Sequence, residues 1–321
     1  MDEIVVENLS KTFAGGVTAV DGLSFSVARG EVFGLLGPNG AGKSTTVRIL
    51  ATLTQPTGGR ASVASHDVAA DPARVRSRLG YIAQASGVDR WATGHENLTL
   101  QAQLQRVSPA LVGARVRALL DRVSLSEAAP RLVNTYSGGM KRRLDIAMGL
   151  VHEPSVLFLD EPTTGLDPET RRALWDDLAR LRAERGLTVL LTTHYLEEAD
   201  QLCDRIAIVD RGRVVATGTP SDLKTGIGGD IVTLELAAAQ PYAAATLRAL
   251  DGVTEVNGEG AKLTLRVADG AHMLPVAISA LAQSGISVRT ASASRPSLDD
   301  VYLHHTGHRF DSTDVAHRAA R

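Results

Sequence analysis

Gly37-Pro38-Asn39-Gly40-Ala41-Gly42-Lys43-Ser44-Thr45, preceded by the apolar run Val32-Phe33-Gly34-Leu35-Leu36, fits the pattern G-x-x-x-x-G-K-[ST]. Glycines in such a stretch let consecutive backbone N–H groups curl around an anion. The lysine reaches the β and γ phosphates and the serine hydroxyl ligates Mg²⁺. A helix opening at Lys43 adds the positive end of its dipole. Four constrained positions arise by chance in a chain of this length with a probability on the order of one per cent, so residues 37–45 are read as a nucleoside triphosphate site.

The 321 residues suffice for one domain of ordinary core size and a smaller one. Lysine and arginine number 34 against 36 aspartates and glutamates, a net charge of -2, so composition makes no electrostatic case for a nucleic-acid partner. Apolar runs such as Thr188-Val189-Leu190-Leu191 are far shorter than the roughly 20 residues a membrane-spanning helix needs. Met1-Asp2-Glu3-Ile4 opens acidic, without the basic-then-apolar order of a secretory signal. The single cysteine, Cys203, excludes an intrachain disulfide and reads as a small buried hydrophobe in a reducing cytoplasm.

Ile4-Val5-Val6 and the alternating Leu23-Ser24-Phe25-Ser26-Val27 read as strands ahead of the phosphate loop. Val47, Ile49, Leu50 and Leu53 suit a helix over 43–53. From 94 to 125 the pattern is helical, with Ser108-Pro109 as N-cap and first-turn proline. Then come a strand at 156–159, a helix over 168–184, a strand at 188–193, a helix near 195–202 and strands around 206–209 and 213–215. This alternation predicts the α/β class, with a largely parallel sheet covered on both faces. Beyond Thr219-Pro220 the stretch 224–230 reads as a linker. After it come a strand from Ile231, a helix from Tyr242, strands near Val253 and at 262–267, a helix over 271–283 and a strand at 286–291. That order suits a small ferredoxin-like α/β unit, and 310–321 reads as a flexible polar tail.

A phosphate loop serves many chemistries, and a second stretch narrows them. Val156-Leu157-Phe158-Leu159-Asp160-Glu161 is an apolar strand that delivers two adjacent carboxylates: Asp160 is placed to hold Mg²⁺, and Glu161 to polarise the water attacking the γ-phosphate. A third stretch, Tyr136-Ser137-Gly138-Gly139-Met140-Lys141-Arg142-Arg143, opens another helix on serine and two glycines, a second anion-ready N-terminus.

With these three stretches in order, roughly the first two thirds of the chain resembles the nucleotide-binding subunit of an ABC transporter, whose signature generally reads Leu-Ser-Gly-Gly-Gln. The resemblance implies a P-loop NTPase cassette, a RecA-like core with a helical signature subdomain at about 94–152, over residues 1–223, with 224–309 as a C-terminal regulatory or assembly domain. It implies that Phe13 stacks on adenine and that Gly37, Pro38, Asn39, Gly40, Ala41, Gly42, Lys43, Ser44 and Thr45 bind ATP. By the same resemblance Ser44, Gln84 and Asp160 serve Mg²⁺, and Glu161, His194 and Gln84 are catalytic. Ser137, Gly138, Gly139 and Asp167 then act on the ATP of a second copy.

Tyr136 and Met140 depart from the general signature, while the Ser-Gly-Gly contacts survive. Signatures of this kind, and the C-terminal Pro296-Ser297-Leu298-Asp299-Asp300-Val301-Tyr302-Leu303, resemble the daunorubicin/doxorubicin drug-resistance export branch. His304, His305 and His308 beyond it read as solvated helix-end residues rather than metal ligands. The resemblance implies an ATPase that sandwiches ATP in a dimer and drives a separately encoded membrane permease from the cytoplasmic face of the membrane. The contact is placed near 87–97, with Trp91 as a candidate anchor, and the cargo is a drug, lipid or other hydrophobic compound. A nutrient-importer ATPase and a soluble non-transport ABC ATPase are the rival readings.

Overall fold

The computed structural model of the chain describes residues 2–308 together with 310. Apart from Phe310, the tail read as flexible lies outside the described residues. The chain divides into two compact units, one up to Thr219 and one from Pro220 to Phe310.

In the first unit, β1 (Asp2–Thr12) and β2 (Thr18–Ala28) form an antiparallel hairpin that continues into β4 (Gly58–Val63) and β5 (His66–Asp67), in the order β2-β1-β4-β5. The larger sheet has six strands. It runs β10 (Arg213–Gly218), β9 (Arg205–Asp210), β3 (Val32–Leu36), β8 (Thr188–Thr193), β7 (Val156–Asp160), β6 (Leu79–Ile82), all parallel except β10. Every residue of β3, β7 and β8 is buried. This is why they read as unbroken apolar runs, as strands covered on both faces do.

Register decides where the site falls. Leu36 lies opposite Thr193, and Asp160 opposite Thr192, so β3, β7 and β8 end at one edge. Their loops emerge together at the C-terminal ends of parallel strands, where open α/β sheets bind ligands.

The helical stretch expected from 94 to 125 is two helices, α3 (Gly94–Leu104) and α4 (Pro109–Arg122), followed by α5 (Gly138–Gly149). α3 starts on a capping box in which Thr93 and Glu96 satisfy each other's backbone N–H groups. Ser108 does precede α4, but its side chain makes no capping bond. The helix after the phosphate loop, α1 (Lys43–Leu50), ends short of the expected Leu53, since Thr52 turns left-handed at φ 60. Between β5 and β6 lies α2 (Pro72–Arg78), and α6 (Pro168–Arg185) and α7 (Leu196–Leu202) flank β8 in sequence.

The second unit opens with α8 (Pro220–Gly226), so part of the expected linker is a helix end. β11 (Asp230–Leu236), α9 (Ala243–Arg248), β12 (Val253–Glu259), β13 (Lys262–Val267), α10 (Gly270–Gln283) and β14 (Val288–Ser294) follow, then α11 (Leu298–Thr306). Its antiparallel sheet is ordered β12-β13-β11-β14, the strand order of a ferredoxin-like unit. Val232, Leu234, Leu236, Leu263, Leu265 and Val267 share its buried face against Leu247, Met273, Ala277 and Leu281. His304, His305 and His308 are exposed.

Candidate functional site

The phosphate loop needs glycine at Gly42 twice over. Its φ is +102, and a Cβ there would stand 2.3 Å from the carbonyl oxygen of Ala19. The loop delivers Lys43, 4% exposed, whose Nζ donates to the carbonyls of Gly37 and Pro38 at 2.7 and 2.9 Å. Burial pulls the lysine's pKa down, and the charges of Glu161 and Asp160 push against that shift. One residue on, Ser44 Oγ donates to Asp160 Oδ1 at 2.8 Å, and Thr192 Oγ1 donates to the same oxygen at 2.7 Å.

Glu161 is the hub of the second half of the site. Its φ of 46 is left-handed, a conformation that costs a non-glycine residue about 1–2 kcal/mol. Strain of that kind collects where a side chain must be aimed. Oε2 accepts from Gln84 Nε2 at 3.0 Å and from Thr164 Oγ1 at 3.3 Å. Oε1 lies 3.3 Å from His194 Nδ1 and 3.8 Å from Lys43 Nζ. The His194 contact foremost, and then the Lys43 charge, hold the Glu161 carboxyl below its ordinary value against the opposing effect of burial. At neutral pH it is therefore an acceptor with a full charge. His194 packs on Tyr195 with ring centroids 4.1 Å apart, and the Arg171 guanidinium lies 4.3 Å over the other ring.

The remaining motif residues stand outside this hydrogen-bonded cluster. Ser137 is the N-cap of α5 and accepts the Met140 N–H at 3.2 Å. A Cβ on Gly139 would come 2.4 Å from Thr170 Cγ2, so the second glycine is demanded by the close approach of α6. Asp167 caps α6 through the Thr170 N–H at 2.9 Å, and the Thr170 hydroxyl first, with that N–H second, lowers its pKa. Tyr136 is 4% exposed and its hydroxyl donates to the Ala128 carbonyl at 2.7 Å. The departure from leucine thus carries its own buried hydrogen bond. Phe13, just beyond β1, is 45% exposed, with Lys11 Nζ 5.2 Å from its ring centre.

Thr164 and Thr192 carry no motif signal in the sequence, nor does Glu198, which is fully buried and takes the Trp175 Nε1–H at 3.2 Å. Burial raises the Glu198 pKa. Position after His194 in a helix start was the only signal in its favour. Cys203 is buried and free, with its thiol pushed well above the ordinary range by desolvation, which leaves it an inert hydrophobe.

A phosphate loop and an aspartate–glutamate pair at strand ends of one largely parallel sheet, together with a Ser-Gly-Gly helix start, define the class of ATP-hydrolysing cassettes. Residues 20–164 match the ABC transporter family, and residues 218–306 match the C-terminal domain of DrrA1-3-like ATP-binding proteins. The chain is 48% identical over 306 residues to the daunorubicin/doxorubicin resistance ATP-binding protein DrrA of Streptomyces peucetius, covering 94% of this chain and 92% of that one. It is 36% identical to the linearmycin resistance ATP-binding protein LnrL of Bacillus subtilis, covering 94% and 97%. Among solved structures, a dimeric ATP-binding cassette in a post-hydrolysis state with ADP and Pi superposes with a TM-score of 0.61 at 26% identity, over 67% of this chain and 98% of that one. The chain belongs to the ABC transporter family, in its daunorubicin/doxorubicin-resistance ATP-binding branch.

Proposed function

We propose that this chain is the ATP-hydrolysing subunit of a drug exporter, acting as two copies on a separately encoded permease. The observation that carries the reading is the division of the motif residues. Lys43, Ser44, Gln84, Asp160, Glu161 and His194 form one connected cluster, whereas exposed Ser137 and Gly138 start α5 outside it. A helix start with free N–H groups is an anion site. In a head-to-tail dimer each ATP then lies between loop 37–45 of one copy and Ser137, Gly138, Gly139 and Asp167 of the other, with Phe13 stacked on adenine.

Within the cluster Glu161 polarises the attacking water, while His194 and Gln84 hold it in line. Ser44 Oγ and Asp160 Oδ1, hard oxygen donors 2.8 Å apart, suit Mg²⁺, with Gln84 as a further ligand. A Mg²⁺ ion held by Ser44 and Asp160 would supply neutralisation of phosphate charge.

Resemblance over nearly the whole chain to resistance proteins supports export of a hydrophobic drug, lipid or glycoconjugate. Among the described residues no helix is long and apolar enough to cross a membrane. Likeness to the ATP-binding subunits of resistance proteins supports attachment to the cytoplasmic face through the permease. The docking place is the groove beside Gln84, a cavity of about 320 Å³ lined by Tyr81, Gly87, Gln101, Asp145 and Met148. Trp91, 79% exposed four residues beyond Gly87 on a loop braced by Asn97, is the anchor.

The test is co-expression with a polytopic membrane protein that lacks its own ATPase and is found encoded beside the chain, reading ATP-dependent accumulation of doxorubicin in inverted vesicles. Accumulation that disappears with Glu161→Gln supports the reading. A complex that hydrolyses ATP but moves neither doxorubicin nor a fluorescent lipid refutes the assignment to export. Cysteines at Ser86 or Asp89 that never crosslink to the permease in an active complex move the docking site elsewhere.

A further inference from the structure

Arg142, on the second turn of α5, is a buried guanidinium, 7% exposed, that spends its donors on carbonyls rather than on a carboxylate. Nη1 donates to the Ala83 carbonyl at 2.7 Å, Nε to the Pro162 carbonyl at 2.9 Å, and Nη2 lies 3.4 Å from the Asp160 carbonyl. Ala83 directly precedes Gln84, while Asp160 and Pro162 flank Glu161. One side chain therefore grips the chain on either side of Glu161 and immediately before Gln84, the two residues whose side chains meet at 3.0 Å. These carbonyls lie at and just beyond the ends of β6 and β7, where the ladder stops, and buried carbonyls need donors.

Asp145, one turn further along α5 and 6% exposed, closes the other end of the same loop. Its Oδ1 accepts the Gly87 N–H at 3.0 Å. α5 thus clasps 83–87 at both ends with residues three apart on one face of the helix. Ser137 caps its N-terminus, and five residues at 1.5 Å rise place Arg142 only about 7.5 Å along the axis from it. A planar fork of five N–H groups can serve three carbonyls at once, which a single ammonium cannot do with the same geometry.

We infer that Arg142 is a positioning residue for ATP hydrolysis: it sets Gln84 against Glu161 and ties that pair to the helix that begins at Ser137. The inference rests on Gln84 and Glu161 being working groups of the reaction, as proposed above. A shift of α5 is thereby passed to the backbone on both sides of Glu161 and before Gln84 through Arg142, while Asp145 holds only the far end of the loop at Gly87.

The test uses the full chain with Arg142→Met, which keeps the bulk and removes the donors, and Arg142→Lys, which keeps the charge. With Mg-ATP, kcat of Arg142→Met falls 10- to 100-fold while ATP affinity, read with a fluorescent ATP analogue, stays within threefold. Arg142→Lys recovers part of the rate. Adding Gln84→Ala to Arg142→Met costs little more, because the amide is already out of place, so the double-mutant cycle is strongly non-additive. Additive losses, a normal kcat in either folded Arg142 variant, or an ATP affinity that falls in step with kcat overturn the inference. If Arg142→Met fails to fold, Arg142→Lys alone decides by the same split. Near-normal hydrolysis by Gln84→Ala and Glu161→Gln would overturn the reading of the site itself, whereas loss in those two beside a normal Arg142→Met overturns the clasp alone.

Discussion

Replacing Glu161 with glutamine removes one negative charge and keeps the shape, and the surroundings dictate how the amide must sit. Gln84 and Thr164 both donate to Oε2, so the new carbonyl has to face them. The NH₂ then turns toward His194 Nδ1, which can accept from it, and toward Lys43 Nζ, which loses its closer carboxylate. Lys43 keeps its bonds to the carbonyls of Gly37 and Pro38 and the attraction of Asp160. ATP affinity therefore changes by less than about tenfold, or ~1.4 kcal/mol. Loss of a positioned base costs roughly 10²–10⁴ in rate, which at 1.36 kcal/mol per tenfold is about 2.7–5.4 kcal/mol of transition-state stabilisation. The assay is phosphate release at saturating Mg-ATP, run beside nucleotide binding and size-exclusion of the ATP-loaded protein. Binding persists, release falls at least a hundredfold, and the dimer stays closed on ATP. Release within tenfold of the wild type refutes the argument that Glu161 activates the water.

Ser137→Arg abolishes hydrolysis with the phosphate loop intact, and mixing it with Lys43→Ala protomers restores part of the rate through the one composite site that carries neither lesion. Undiminished ATP-dependent dimerisation in both mutants refutes the shared site. Glu198→Gln tests the buried carboxyl. Between the ordinary glutamate value and the raised folded one, the native state keeps a proton the unfolded chain has released, so the wild type loses stability as pH rises through that window. Thermal melting from pH 4 to 7 should show the variant gaining on the wild type by a few degrees, and a gap that does not vary with pH counts against the assignment. Truncation after Thr219 leaves a folded unit that binds ATP within about threefold of the full chain but fails in transport or assembly, and a folded truncation that binds no nucleotide would place the second unit in the ATP site.

Features that depend only on neighbours along the chain are legible in the sequence. Residues 37–45 announce a phosphate loop because the requirement is local: glycine dihedrals, a run of backbone N–H groups and a helix start. The paired carboxylates of Asp160 and Glu161 announce themselves because a buried strand has few other reasons to end on two charges. The six alternating residues from Val232 to Val267 showed a one-faced sheet, since strand side chains alternate with a period of two. Which of these groups meet depends on how strands and helices distant in sequence pack together. Gln84 touches Glu161 across 77 positions of sequence because the parallel register brings the ends of β6, β7 and β8 to one edge. Arg142 could not be told from Lys141 and Arg143 in a run of three cations. Only the rotation of α5 against the sheet buries Arg142 among carbonyls and leaves its two neighbours partly exposed, because which face of a helix is covered depends on what the rest of the chain packs against it.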